Sequence, residues 1–267
     1  MIRWSAHLST MFPDVAAEQR PRAAAALGFS HAETWWPPSG GADAWVEDMR
    51  AAGLSAACVN ADGGDLEAGE RGFCNVPGRR DELVAGAEAA ARAVTALGGT
   101  CVNLLVGRAL PGVGRDADLT AARRAVSEAA RAVAPLGATL VIEHLNPVDV
   151  RDPLLPTPRD AAAFVAAVDH PNVRVLFDCY HAAAAGGDPL RDLAAVLPLV
   201  AHVQYADHPG RGAPGSGTIP LGLVVAVLHN GGFRGAIGME CIPADGAAGV
   251  ARALAGLHPE APFPAAC

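Results

Sequence analysis

Four oxygen-bearing side chains sit at the ends of apolar, strand-like runs in the second half of this 267-residue chain: Glu143, Asp178, Gln204 and Glu240. Each alone has an ordinary structural use. Asp178 can cap a following helix, Gln204 can serve a neighbouring backbone group, and a glutamate can be hydrogen-bonded at the rim of a sheet. Together they pose a different problem. Three carboxylates converging in one mouth repel one another and lose solvation unless something positive sits among them. A divalent cation answers that. Carboxylate and amide oxygens, with no thiolate among them, suit Mg²⁺ or Mn²⁺, so Glu143, Asp178, Gln204 and Glu240 form the expected metal set.

Such convergence requires a fold that brings strand ends together. Short apolar runs alternate with alanine-rich segments of helical period, eight of each. The runs are 2–8, 32–36, 54–60, 100–106, 139–144, 173–178, 200–206 and 236–241; the helical segments lie near 14–27, 42–52, 80–97, 117–135, 158–169, 189–197, 220–230 and 246–257. Pro21, Thr157-Pro158 and Asp188-Pro189 mark helix starts, while Gly53, Gly98 and Gly137 stand where left-handed caps are expected. Eight strand-then-helix units in this length predict an α/β fold, a (β/α)₈ TIM barrel, with active-site residues at the C-terminal strand ends. A doubly wound sheet is the competitor, but STMFPD replaces a glycine-rich dinucleotide fingerprint after the first run. The reading is one barrel domain over 1–257 and a proline-rich tail at 258–267.

Composition narrows the partners. The net charge is −8 and no run of Lys or Arg forms a cationic stripe, which argues against nucleic acid. Six cysteines lack metal-site spacing and read as reduced core thiols. No stretch of roughly 18 apolar residues occurs, and no signal peptide is evident. A soluble, cytoplasmic protein with no membrane partner is the expectation.

The motifs AHLSTMFPD, GFSHAETWWP, AGERGF with its nearby PGR, VIEHLN, FDCYH, HVQYADHPGR and GMEC resemble, in combination, the hydroxypyruvate isomerase family within the xylose-isomerase-like barrels, over about residues 4–244. The resemblance implies that Glu143 and Glu240 are the proton-transferring pair, and that these two with Asp178 and Gln204 surround a divalent metal. It implies a small anionic hydroxy-keto acid as substrate: hydroxypyruvate, converted to tartronate semialdehyde through an enediolate. Neither NAD nor flavin is needed, because hydrogen and electrons stay within the molecule. A homo-oligomer is ordinary for the family.

A substrate carboxylate needs a cation, and Arg211 in HPGRG is the first choice because guanidinium grips carboxylate bidentately. By resemblance His181 contacts substrate; His208 is a further candidate, and both alternatively belong to loop or rim structure. Arg71 in AGERG is either a second anion contact or a solvated surface side chain. Glu33 orients the site or holds an internal salt bridge, and Trp35 and Trp36 wall the pocket or pack in the core.

The chain departs from the family pattern at five places. His7 stands in place of asparagine, His144 of proline, Thr218 of a carboxylate, Pro220 of an amide, and Ile242 of a lysine. His7 and His144 are expected to face the pocket, and all five bear on substrate identity. A longer substrate, such as a 2-oxo-tetronate or a ketose, is the nearby alternative. An endonuclease IV-type phosphodiesterase or a non-catalytic metabolite-binding barrel are the readings from other classes.

Overall fold

The computed structural model describes residues 3–36 and 40–257; the tail expected at 258–267, with Cys267, lies outside the described residues. Eight parallel strands close into a barrel in sequential order: β1 (Arg3–His7), β2 (His31–Thr34), β3 (Ser55–Asn60), β4 (Cys101–Asn103), β5 (Thr139–Glu143), β6 (Val173–Asp178), β7 (Val200–Tyr205) and β8 (Ala236–Met239). Ten α-helices occur among the described residues: α1 (Leu8–Met11), α2 (Arg20–Ala26), α3 (Ala42–Ala51), α4 (Arg80–Ala96), α5 (Arg115–Val133), α6 (Pro158–Val168), α7 (Cys179–Ala184), α8 (Pro189–Val196), α9 (Leu221–Asn230) and α10 (Ala247–Leu257). None is long and apolar enough to cross a membrane.

The helix boundaries follow local chemistry. Thr157 and Asp160 form a reciprocal capping box before α6: the Asp160 N–H donates to Thr157 Oγ1 at 3.2 Å and the Thr157 N–H to Asp160 Oδ2 at 3.1 Å. Asp188 Oδ1 accepts from the N–H groups of Leu190 and Arg191 ahead of α8. Gly53, Gly98 and Gly137 are left-handed, at φ 71°, 74° and 78°.

Three expected strands end two or more residues early, the run at 236–241 stopping at Met239. The run at 32–36 leaves the sheet after Thr34, where the Trp35 N–H donates to Ser9 Oγ instead of a neighbouring strand. The run at 100–106 leaves after Asn103, and Val106 pairs antiparallel with Gly72 in a rim loop. The segment at 14–27 divides into a 3₁₀ turn, Ala17–Gln19, followed by α2. Helices α1 and α7, of four and six residues, are too short to carry a periodic signal. The five described cysteines are buried and unpaired; burial raises their thiols, that of Cys101 to about 11.

Candidate active site

Strand alternation builds the site in layers. Cys58, Cys101, Val141 and Leu176 form one buried cluster on adjacent strands of the barrel. Two residues further along those strands the same face presents Asn60, Asn103, Glu143 and Asp178. The same step carries Ser5 to His7, His202 to Gln204 and Gly238 to Glu240. The apolar layer supports a ring of polar groups at the C-terminal ends of the staves, where parallel (β/α)₈ enzymes carry their chemistry. A cavity of about 320 Å³ opens above it, and Trp35, Arg71, Glu143, His181, Arg211 and Glu240 all contribute to its wall. A neighbouring cavity beside Trp36 and Trp45 is as large, at about 320 Å³, but brings no paired carboxylates together.

Glu143, Asp178 and His181 lie closest: one ligand atom from each falls within 4.8 Å of the others. Asn103 Nδ2 donates to Glu143 Oε2 at 2.7 Å. Burial above all, then the charges of Glu240 and Asp178, pushes the Glu143 carboxyl well above its usual range. Asp178 has two roles. Its Oδ1 accepts the His181 N–H at 2.8 Å and caps α7, whereas its buried Oδ2 has no hydrogen-bond partner. Burial raises Asp178 as well, against the opposing pull of Arg211.

The tautomer of His181 follows from Asn146, whose backbone N–H points at Nδ1 from 3.0 Å. Nδ1 is therefore an acceptor, and the ring proton resides on Nε2, 3.7 Å from Glu143 Oε1. Burial first, then Arg211, lowers the imidazole to about 3. His181 is thus a neutral hydrogen-bond donor into the cavity.

Glu240 is surrounded by donors. Trp35 Nε1 donates to Oε1 at 2.9 Å, Arg211 Nη2 lies 3.1 Å from Oε2, and His7 Nε2 is 3.5 Å from Oε1. Burial opposes ionisation of Glu240, but Arg211, followed by His7 and the Trp35 indole, outweighs it and holds the carboxyl below its usual range. The environments of Glu143 and Glu240 therefore push their protonation in opposite directions, a pattern suited to an acid and a base.

Gln204 donates from Nε2 to Glu33 Oε1 at 2.9 Å, which leaves its buried Oε1 without a partner. Glu33 Oε2 lies 2.9 Å from His202 Nε2, so Glu33 makes the internal pair foreseen for it and also orients Gln204. Gly238 makes room for this arrangement: a Cβ there would meet both carboxylate oxygens of Glu33. Gly238→Ala is expected to destabilise the fold by about 1–3 kcal/mol through overpacking; urea unfolding measures the loss, and an unchanged midpoint contradicts the arrangement.

The loop after β7 is organised by buried Asp207, which accepts N–H bonds from His208, Gly215, Gly217 and Ile219. Arg211 adopts φ 55°, and its carbonyl accepts the Ile242 N–H at 2.7 Å. His208 is outside the cavity wall, its ring 5.9 Å from that of Tyr180. His7 meets the expectation that it faces the site, but His144 does not. One residue past Glu143, it takes the opposite face of the stave, buried 5.4 Å from the Phe177 ring. Thr218 bonds to the His208 carbonyl, Pro220 precedes α9, and Ile242 is exposed; none contributes to the cavity wall.

Asn103 and Asn146 are among the candidate-site residues that the sequence reading missed, as are Asn60, Glu67 and Asp149 in the cavity wall. Asn103 ends β4 and obeys the same strand-end rule as the four later residues. The donor set fits a divalent ion, since Glu143, Asp178 and His181 bring ligand atoms together and Asp178 Oδ2 and Gln204 Oε1 are buried acceptors without partners.

This barrel and its ring of oxygens define a class. Residues 21–258 match the family model of xylose isomerase-like TIM barrels, and the chain belongs to that family. Within it, the chain is 30% identical to the hydroxypyruvate isomerase of Escherichia coli K12, over 91% of this chain and 94% of that protein. It is 32% identical to the 2-oxo-tetronate isomerase of Cupriavidus necator, over 92% and 95%. A Brucella melitensis crystal structure described as an AP endonuclease, family 2, superposes with TM-score 0.89 at 30% identity, over 98% of this chain and 100% of that one.

Proposed function

We propose that this protein is an isomerase interconverting hydroxypyruvate and tartronate semialdehyde. The observation that carries the reading is the shared cavity: Glu143 and Glu240, from separate staves, line one small chamber beside a neutral imidazole donor and an arginine. The named activities of the two isomerase relatives support it.

Hydroxypyruvate bears a CH₂OH beside its ketone. Glu240, held ionised by Arg211 and the Trp35 indole, takes a proton from that carbon, and the electron pair left behind forms the enediolate. Glu143, whose carboxyl is raised by burial and by the charges of Glu240 and Asp178, delivers a proton to the former carbonyl carbon. The hydroxyl proton passes to the former ketone oxygen, so atoms and electrons balance without an external oxidant. His181 Nε2–H stands beside Glu143 and donates to the oxygen on which negative charge grows. Glu143, Asp178, Gln204 and Glu240 are the residues that would hold a divalent metal, Mg²⁺ or Mn²⁺. When bound, such an ion supplies positive charge that polarises the carbonyl.

A four-carbon 2-oxo acid is the second reading, favoured by the 2-oxo-tetronate isomerase relative. The compact ligand group and the net charge of −8 weigh against a nucleic-acid phosphodiester substrate. Side-by-side assays with hydroxypyruvate, 2-oxo-tetronate and six-carbon ketoses test the reading. The highest kcat/KM is expected for hydroxypyruvate, and preference for a neutral ketose contradicts it.

A further inference from the structure

The cavity is rich in acid, yet the proposed substrate is an anion. Besides Glu143 and Glu240, Glu67 and Asp149 stand in its wall. Two arginines face them, and they are not equivalent. Arg211 is already bound to Glu240 at 3.1 Å, so its charge is largely spent holding that carboxylate. Arg71, also in the wall, takes part in none of the ion pairs among the described residues. Its Nη1 donates to the carbonyls of Leu66 and Glu70, at 3.0 and 2.6 Å. Nε and Nη2, the two donors of one guanidinium edge, have no protein partner there.

The loop that carries Arg71 is braced. Glu70 accepts the Asp65 N–H and pairs with Arg79, both at 2.7 Å, and Arg108 Nη1 donates to the Gly69 carbonyl at 2.9 Å. Gly72 pairs with Val106, and a Cβ at Gly72 would meet the Leu105 carbonyl oxygen, so the chain beside Arg71 is pressed against the rim. The two backbone carbonyls orient the guanidinium and consume one of its three nitrogens. The free edge matches the two oxygens of a carboxylate.

We propose that Arg71 is the clamp for the substrate carboxylate, and that it makes the site selective for short 2-oxo acids over neutral sugars of the same length. This rests on the isomerase reading above and names the substrate class that the site takes. Arg211 then serves chiefly Glu240 and the reacting oxygens, while Arg71 fixes the unreactive end of the substrate.

The test compares wild type, Arg71→Met and Arg71→Lys on hydroxypyruvate and on dihydroxyacetone, its neutral counterpart with CH₂OH in place of carboxylate. Calorimetry with tartronate, an anion that cannot isomerise, supplies a readout independent of turnover. For Arg71→Met the KM for hydroxypyruvate is expected to rise about 10- to 100-fold with little change in kcat, and tartronate affinity to fall by a similar factor. Activity on dihydroxyacetone is expected to be low in wild type and unchanged in the variant. Arg71→Lys, which keeps the charge but not the fork, is expected to fall between; should Arg71→Met fold poorly, Arg71→Lys decides the question. Unchanged KM and tartronate affinity would overturn the proposal. So would equal losses on charged and neutral compounds, which mark Arg71 as loop support, or wild-type dihydroxyacetone activity equal to that on hydroxypyruvate. If wild type binds tartronate through Arg71 but does not isomerise hydroxypyruvate, the anion clamp stands and the reaction assignment fails.

Discussion

Glu240→Gln is expected to lower kcat for hydroxypyruvate by about 10²- to 10⁴-fold, the usual contribution of a positioned acid or base. The substitution keeps the shape of the side chain and an oxygen for the Trp35 indole at Oε1, so the packing around it survives. What it removes is the negative charge that Arg211 and His7 surround, and with it the capacity to take a proton from carbon. Glu143→Gln is expected to fall by a comparable factor, because the amide oxygen still accepts from Asn103 while the transferable carboxyl proton is gone. Circular dichroism checks that both variants fold, and steady-state kinetics reads the loss. A fall of less than about tenfold in either removes that residue from the proton-transfer pair.

Asp178→Asn is the second large effect, and it falls on metal affinity. An asparagine at this position still caps α7 through Oδ1, so the local helix persists. The buried Oδ2, an acceptor without a partner, becomes an NH₂ donor that repels a cation. The loss in Mn²⁺ affinity should exceed the roughly 10- to 100-fold cost of deleting an outer-shell partner. Metal at a hundred times its Kd is expected to raise the wild-type melting temperature by roughly 5–10 °C and to leave that of the variant nearly still. Calorimetry and thermal melts measure both without reference to turnover. Equal stabilisation of the two proteins would place the ion elsewhere.

The barrel was legible because its evidence is repetitive. The alternation of apolar runs with helical segments survives errors at any one boundary, and VRVLFD matches β6 residue for residue. The four oxygens at strand ends were legible for a related reason: a stave pointing its last inward side chain into a mouth leaves a polar residue after an apolar run. The same rule extended to β3 and β4 yields Asn60 and Asn103, the latter bonded to Glu143. Other features depend on contacts between distant segments. Nothing local to Trp35 announces Glu240, 205 residues away, and Glu33 meets His202 and Gln204 only because Gly238 leaves the lumen open there. His144 shows the limit of proximity in sequence. A single step along an extended chain turns a side chain to the other face, so the neighbour of the proposed acid packs against Phe177.

The claim that two different glutamates handle the migrating hydrogen is tested most directly by turnover of hydroxypyruvate in D₂O, with the position of deuterium in tartronate semialdehyde read by NMR against an enzyme-free control. A proton removed by Glu240 and another delivered by Glu143 predict one solvent deuterium at the carbon that was the ketone, introduced at the rate of turnover. Product formed with no deuterium at that carbon would mean direct passage of hydrogen between the two carbons, and would contradict the account.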